Sequence, residues 1–178
     1  MAIAASGKPE NAYKVGKIVA KESRAVGIHW NFSPVVDVNN NPNNPIINVR
    51  SFSEDPSVVS SYATQYILGL QDNGLLATAK HFPGHGDTET DSHSSLAMIP
   101  SDSSRLWEIE IPPFQDMIEK GIDAIMVAHV HSPDYQPDSY TPASMSKFWV
   151  NDILKEKLEF RGAIVTDGMG MGGIVRNY

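Results

Sequence analysis

The sequence predicts an α/β fold with a parallel sheet, of the (β/α)8 or TIM-barrel type, to which this chain contributes only about four βα units. Three observations lead to this prediction. Segments with helical periodicity alternate four times with short apolar segments along the 178 residues. Long polar loops follow the apolar segments, whereas tight turns at glycine precede them. A complete barrel needs about 250 residues, so we expect residues 1–178 to be part of a larger barrel domain.

The composition excludes several classes of protein. The chain has no cysteine, which excludes disulfides, a thiolate zinc site and a cysteine nucleophile. Its 21 acidic and 14 basic residues give a formal charge of -7, and no basic stripe is present to bind nucleic-acid phosphates. No segment approaches the roughly 18 apolar residues of a membrane helix, and the N-terminus does not form a complete signal peptide. We therefore expect a folded protein with no nucleic-acid partner and no membrane span.

Apolar stripes and end-forming residues indicate the helices. The second helix is the best marked, because Asp55 can cap it, Pro56 fits its first turn and Gly74 follows its end. Pro34 must lie near the end of the first strand or at a bulge, since proline cannot donate a hydrogen bond to a sheet. The predicted helices are residues 12–26, 56–73, 114–120 and 146–159, and the predicted strands are residues 28–38, 75–82, 122–130 and 163–167.

Two architectures fit this order of elements, an open doubly wound sheet and part of an eight-stranded barrel. No G-x-G-x-x-G motif follows a predicted strand, so the evidence for a dinucleotide-binding open sheet is weak. The long polar loops favour the barrel, whose active site is built from loops at the C-terminal ends of its strands.

Side chains suited to chemistry cluster where such a site would lie. Five of the six histidines occur at predicted strand ends or in the loops that follow, and only His29 does not. Two carboxylates and a lysine also end predicted strands. The clustered residues at the strand ends are Asp37, Lys80, His81, His129, His131 and Asp167.

The loop after the second strand contains an acid and a histidine two residues apart, Asp91 and His93. On an extended loop this spacing places both side chains on the same side, so the carboxylate can hold one ring nitrogen and leave the other for substrate. Such a histidine is suited to general acid–base catalysis near neutral pH. The alternative is a loop histidine that the nearby carboxylate only orders. The glycines and proline of the 82–86 stretch indicate a shaped loop.

Other candidates also have two interpretations. Asp167 ends an apolar strand before a glycine-rich turn, so it is either a nucleophilic or stabilising carboxylate or the N-cap of a following helix. Arg50 either donates hydrogen bonds to a substrate or fixes its long loop. Lys80, if buried, needs an acidic partner, for which Asp37 is a candidate.

Taken together, these motifs resemble glycoside hydrolase family 3, and more narrowly its β-N-acetylglucosaminidase branch. The most specific match is K-H-F-P-G-H-G at residues 80–86, followed by D-S-H at residues 91–93. Further segments agree in order along most of the chain: S-P-V-V-D-V at 33–38, R-S-F at 50–52, E-D-P at 54–56, M-V-A-H at 126–129 and T-D-G-M at 166–169. Two features depart from the family pattern: the sequence has no D-Q-E-G-G segment, and glycine follows Asp167.

The resemblance implies a barrel and a retaining mechanism through a covalent glycosyl-enzyme. By the resemblance, Asp167 is the nucleophile, His93 the general acid–base and Asp91 its partner. Most retaining glycosidases instead use two carboxyl groups about 5–5.5 Å apart. Sugar-binding positions of the family match Arg50, Lys80 and His81, and we add Asp37 to this group as a candidate. No metal or organic cofactor is implied.

The expected substrates are saccharides with a terminal β-N-acetylglucosamine, derived from muropeptides or chitin. Alternatives are an incomplete, inactive fragment of such an enzyme, a β-glucosidase of the same family, or a metal-dependent hydrolase. The last would use zinc ligands from His81, His85, Asp87, His93, His129 and His131. Open sheet edges favour self-association. The sequence leaves open the aglycone, the choice between water and phosphate as acceptor, and the compartment, bacterial cytoplasm or cell envelope.

Overall fold

The computed structural model describes residues 1–93, 95–99, 103–136 and 140–178, without the side chain of Ser103. The helices are α1 (Glu10–Ala25), α2 (Pro56–Gln71), α3 (Ser103–Arg105), α4 (Ile111–Glu119) and α5 (Gly172–Val175). Two π-helices span Leu106–Glu110 and Phe148–Lys157, and 3-10 turns span Ala4–Ser6, Asn48–Arg50 and Ala143–Met145. The strands are β1 (Thr78–Phe82), β2 (Ala97–Met98), β3 (Ala124–Val127), β4 (Val130–His131) and β5 (Ala163–Thr166).

The main sheet is parallel, in the order β1-β3-β5. The segment predicted as the first strand forms two parallel bridges, one from Trp30 to Leu76 just before β1 and one from Val35 to Lys80 within β1. The two bridges are five residues apart in the 28–38 segment but only four residues apart in the segment it pairs with. The 28–38 segment therefore contains one extra residue near Pro34. The predicted parallel order and the irregularity at Pro34 are therefore confirmed.

Helices cover this sheet, and aromatic rings fill the space between them. The α1 helix packs on α2, and α2 packs on α4, which also contacts β1. Phe82 at the end of β1 is fully buried and makes edge-to-face contacts with Phe114 at 5.3 Å and Trp149 at 6.1 Å between ring centroids. These two partners lie in α4 and in the π-helix Phe148–Lys157, so the core holds two covering helices against the strand that ends at the candidate site.

The structure differs from the predicted elements where the sequence signal is short. The predicted strand 122–130 divides into β3 and β4, and β4 pairs with β2 in a second, two-stranded parallel sheet. The helix predicted from residue 114 continues back through the π-helix and α3. Two prolines lie in the first turn of α4, where the missing N–H groups cost little. The prolines therefore lie where α4 begins, whereas the helical segment as a whole already begins at Ser103.

The β5 strand pairs with β3 on one side, and its burial pattern shows two exposed and two half-buried residues. By contrast, all four residues of β3 are buried. Within the described ranges, no helix is both long and apolar enough to cross a membrane.

Candidate active site

The C-terminal ends of the main strands meet at one edge of the sheet. Val127 of β3 pairs with Phe82 on one side and Thr166 on the other. The Asp167 backbone N–H then donates a 3.0 Å hydrogen bond to the Val127 carbonyl. This register brings Asp167, the Lys80–His81 pair and the histidines that follow β3 to the same edge, as the sequence predicted.

Asp37 organises the end of β1. The pairing register slips after Lys80, so that His81 is an extra residue in the strand. Both carboxylate oxygens of Asp37 accept the His81 backbone N–H at 3.2 Å, and one accepts the His81 Nδ1–H at 2.7 Å. The His85 backbone N–H adds a 2.8 Å bond. Since Asp37 is only 1% exposed, its carboxylate supports these histidines and does not face solvent.

The surroundings of Asp37 also keep it ionised. Burial raises the pKa of this carboxyl, but electrostatic attraction to His81 and His85 and the hydrogen bonds from both outweigh burial and hold the pKa below its usual value. The Nε2 atom of His81 lies 3.3 Å from Arg50 Nη2. Because arginine only donates, His81 accepts at Nε2 and donates at Nδ1. The ring orientation of His81 is thus fixed from both sides.

Two cations stand beside His81. Arg50 also donates a 3.2 Å hydrogen bond from Nη1 to the Ile46 carbonyl, which holds it against its own loop. Burial and the neighbouring Arg50 lower the pKa of Lys80, and the charges of Asp167 and Asp37 oppose this shift. Arg50 and Lys80 both line an open cavity of about 420 Å³. Among the described residues, Lys80 and Asp37 form no direct ion pair, so Asp37 acts on Lys80 only through its charge. The direct contacts to that carboxylate come from His81 and His85.

The Asp91–His93 pair forms as the spacing predicted. Asp91 Oδ1 accepts a 2.7 Å hydrogen bond from His93 Nδ1 and a 2.9 Å bond from the His93 backbone N–H. Burial raises the pKa of Asp91, but the hydrogen bonds from the His93 backbone and ring, with the charge of that ring, outweigh it and lower the pKa. The His93 side chain is 57% exposed. Its Nε2 is therefore free of the carboxylate and accessible to a ligand.

The loop between these groups is shaped by close packing. Gly84 has a φ of 136°, and a Cβ there would fall 2.6 Å from the Glu110 Cβ. A Cβ on Gly86 would overlap the carbonyl of Val38. His85 lies between these glycines and is buried, with Nε2 2.9 Å from Ser92 Oγ and Nδ1 2.6 Å from Thr88 Oγ1. The predicted shaped loop is confirmed, with His85 as its centre.

The turn after β5 is fixed by His129. Its Nε2–H donates a 3.0 Å hydrogen bond to the Gly168 carbonyl, and Ser144 Oγ lies 2.7 Å from its Nδ1. Asp167 Oδ1 accepts the Gly168 backbone N–H at 2.8 Å, so Asp167 does not cap α5, which begins four residues after Gly168. The half-exposed Asp167 carboxylate therefore faces the strand-end region on a supported turn.

Comparison with known proteins agrees with this geometry. The model of the glycosyl hydrolase family 3 N terminal domain matches residues 1–178, the whole length of the chain. The chain belongs to glycosyl hydrolase family 3. The fold is accordingly of the TIM-barrel type predicted from the alternation of elements.

Proteins similar to this chain are named beta-hexosaminidase or β-N-acetylglucosaminidase. A beta-hexosaminidase A from Pseudoalteromonas piscicida is 40% identical over 173 residues, covering 92% of this chain and 29% of that protein. A beta-hexosaminidase from Stenotrophomonas maltophilia is 42% identical over 154 residues, covering 86% of this chain and 44% of that protein. A family 3 β-N-acetylglucosaminidase structure from Paenibacillus has a TM-score of 0.97 and 43% identity, over 100% of this chain and 34% of that one. The chain thus spans less than half the length of each of these relatives.

In this family 3 chain the structure assembles two groups of residues. Asp37, Arg50, Lys80 and His81 form one, with Asp167 close enough to influence Lys80 electrostatically, and Asp91 with His93 forms the other. The metal-site hypothesis required convergence of the histidines; within the described ranges, no three His, Asp or Glu side chains are arranged to hold a metal. Sequence analysis did not identify Ser92, Thr88 and Ser144 as partners of the site histidines. Isolated hydroxyl residues form no sequence pattern, and only the fold brings them to His85 and His129.

Proposed function

We propose that this chain is part of the catalytic barrel domain, residues 1–178, of a retaining β-N-acetylglucosaminidase. Its substrates would be saccharides with a terminal β-N-acetylglucosamine, derived from muropeptides or chitin. The observation that carries the proposal is the 2.7 Å bond between Asp91 Oδ1 and His93 Nδ1, which leaves the exposed Nε2 of His93 for a ligand. The names of the similar proteins support the substrate class.

In the first step, the Asp167 carboxylate attacks the anomeric carbon while the bond to the leaving-group oxygen breaks. His93 donates the proton from Nε2 to that oxygen, so the aglycone leaves as a neutral alcohol. Asp91 accepts the Nδ1–H of His93, which sets the ring orientation and stabilises the protonated ring. The product of this step is a glycosyl ester of Asp167.

In the second step, water attacks the anomeric carbon and the bond to Asp167 breaks. His93 accepts the proton of that water at Nε2, which restores the starting protonation state of both residues. One histidine can serve both steps because an imidazole can donate a proton in the first step and accept one in the second. If phosphate replaced water as the acceptor, no base would be needed to remove a proton. The test therefore also identifies the product, a free sugar or a sugar phosphate.

Sugar binding falls to Arg50, Lys80 and His81. The guanidinium and ammonium groups can hydrogen-bond to hydroxyl groups of the terminal sugar, and His81 would do so by exchanging its Nε2 contact with Arg50 for a sugar hydroxyl. Asp37 contributes indirectly, since its carboxylate is buried and holds His81 in place. This assignment gives Asp37 a supporting role at the same subsite.

The test is hydrolysis of an aryl β-N-acetylglucosaminide beside the matching β-glucoside, in the longest natural polypeptide that contains these residues and in residues 1–178 alone. We expect turnover of the N-acetyl substrate and its loss in Asp167→Ala. Asp152→Ala is the matched control, because Asp152 is an exposed carboxylate on the π-helix Phe148–Lys157 and is not one of the candidate site residues. Preference for the glucoside would support the β-glucosidase alternative, and a sugar phosphate product would support phosphorolysis.

A second pair of variants tests the acid. We expect His93→Ala to reduce kcat/KM about 10²–10⁴-fold for poor leaving groups, the range typical of general acid catalysis, and to spare activated aryl glycosides. His29→Ala, an exposed histidine at the opposite end of the first segment, is the control. Equal losses on good and poor leaving groups would contradict the acid role. Activity only in the longer polypeptide would support the fragment alternative for residues 1–178.

A further inference from the structure

Ser92 lies between the two residues of the acid–base pair and faces the other way. The His93 side chain is 57% exposed and the Asp91 side chain 37%, whereas Ser92 is only 2% exposed. The Ser92 hydroxyl lies 2.9 Å from His85 Nε2. The loop therefore presents its acid and histidine outward through a residue whose side chain is directed into the protein.

His85 is a rigid support for this hydroxyl. Its backbone N–H donates to Asp37 Oδ1 at 2.8 Å, and its Nδ1 lies 2.6 Å from Thr88 Oγ1. The residue is 2% exposed, and burial lowers the pKa of its ring against the opposing charge of Asp37. A neutral imidazole has one N–H and one lone pair, so two hydroxyl partners satisfy both nitrogens. His85 thereby links Ser92 to the carboxylate that also fixes His81.

The opposite side of the loop is held by the segment that follows Asp167. Gly172 N–H donates to the His93 carbonyl at 2.8 Å, and Gly173 N–H donates to the Ser92 carbonyl at 3.1 Å. A Cβ on Gly173 would lie 3.1 Å from the Ser92 carbonyl oxygen and 3.3 Å from that of Ser95. The loop and the start of α5 are thus in direct backbone contact, which leaves little room for a side chain between them.

We propose that His85 and Ser92 are positioning residues that, with the Gly172 and Gly173 N–H groups, hold the Asp91–His93 pair in register with Asp167. This inference rests on the proposed function. It adds a physical connection between the acid–base loop, the sugar-binding end of β1 and the turn that bears the nucleophile. Since proton transfer requires hydrogen-bond reach, a small displacement of His93 slows the steps that use its proton.

The primary variant is Ser92→Ala, with Ser60→Ala as a matched control. Ser60 is also buried, and its hydroxyl has no hydrogen-bond partner among the described residues. We expect Ser92→Ala to lower kcat/KM for a poor leaving group about tenfold to a hundredfold, with kcat/KM for an activated aryl glycoside unchanged. Ser92→Thr retains the hydroxyl and should restore most of the rate. Equal effects on both substrates, or none, would overturn the proposal.

If Ser92→Ala fails to fold, Gly173→Ala replaces it as the test variant, because its methyl group would press on the same loop from the α5 side. We expect Gly173→Ala to show the same dependence on the leaving group. Amide hydrogen exchange across residues 88–93 gives a readout that does not depend on turnover. We expect faster exchange there in Ser92→Ala and not in Ser60→Ala, measured in the longest natural polypeptide containing the chain. Unchanged exchange in Ser92→Ala would contradict the positioning role, even if no substrate is turned over. Faster exchange in Ser92→Ala together with an inactive wild-type protein would contradict only the proposed function.

Discussion

At the scale of single residues, Glu110 is a buried carboxyl group with incomplete hydrogen bonding. It is 2% exposed, and its Oε2 atom has no hydrogen-bond partner within the described residues. Its Oε1 accepts bonds of 3.3 Å from Arg105 Nη2 and from Asn40 Nδ2. Burial raises the pKa of Glu110 to about 7 despite these partners. The ionised form is therefore the destabilised one in the folded protein.

We expect Glu110→Gln to stabilise the protein at about pH 8 and to have little effect at about pH 5. The folded protein holds this proton more tightly than the unfolded chain, so stability falls as pH rises from 4.5 to about 7. The cost is up to about 3 kcal/mol, from roughly 1.4 kcal/mol per pKa unit. Urea unfolding at both pH values measures it. Glu119→Gln, exposed on α4, is the control, and an equal effect at both pH values would contradict the assignment.

The residue-level predictions from sequence succeeded where the signal was local. The spacing of Asp91 and His93 predicted their hydrogen bond, but its cause is a turn at residues 92–93 and not an extended loop, since Asp91 Oδ1 accepts both the backbone N–H and the ring Nδ1–H of His93. The sequence did not predict the direct partners of Asp37, which are the backbone N–H and the ring of His81 at the bulge and the backbone N–H of His85. That bulge depends on the pairing of β1 with β3, which no local pattern of the sequence encodes.

At the scale of elements, α1 and α2 pack through two glycines. A Cβ on Gly16 of α1 would overlap the Tyr66 carbonyl oxygen, and one on Gly69 of α2 would overlap the Tyr13 carbonyl oxygen. The helices therefore approach at backbone distance, and each glycine forms the contact surface for the other helix. Glycine in a helix costs roughly 0.5–1 kcal/mol relative to alanine, which this packing must offset.

We expect Gly69→Ala to destabilise the protein by about 1–3 kcal/mol, because the cost of forcing a methyl into a packed interface exceeds the gain in helix propensity. The midpoint of urea unfolding measures the change. Ser61→Ala on the exposed face of the same helix should change stability by no more than about 0.5 kcal/mol. A stabilised Gly69→Ala variant would show that the two helices do not hold this close contact in solution.

Elements with end signals could be predicted, and short ones could not. Asp55 caps α2 through Oδ1, which accepts the Ser57 N–H at 2.7 Å and the Val58 N–H at 3.4 Å. By contrast, β2 and β4 contain two residues each, too few to show a period. The α5 helix has four residues, and its segment is rich in glycine and shows no helical period in the sequence. These missed elements matter for the candidate site, since the Gly172 and Gly173 N–H groups at the start of α5 hold the loop that carries Asp91 and His93.

At the scale of the whole molecule, alternation of elements predicted the parallel order, and the comparisons confirm the barrel type. Two edges of the described sheet are unpaired, β5 on one side and the 28–38 segment on the other. Leu76 and Phe32 near the second edge are 46% and 49% exposed. Unpaired strand edges with apolar side chains are templates for association.

We therefore expect residues 1–178, prepared alone, to self-associate as concentration rises, and Val165→Lys to weaken this association. Val165 is half-buried in the edge strand β5, where a charge opposes strand pairing. Val175→Lys, a 61% exposed valine in α5, is the matched control and should leave association unchanged. Because the chain carries a charge of -7, added salt should strengthen association by screening repulsion between copies. Sedimentation velocity measures both effects, and a wild-type chain that stays monomeric at every concentration and salt would contradict association through these edges.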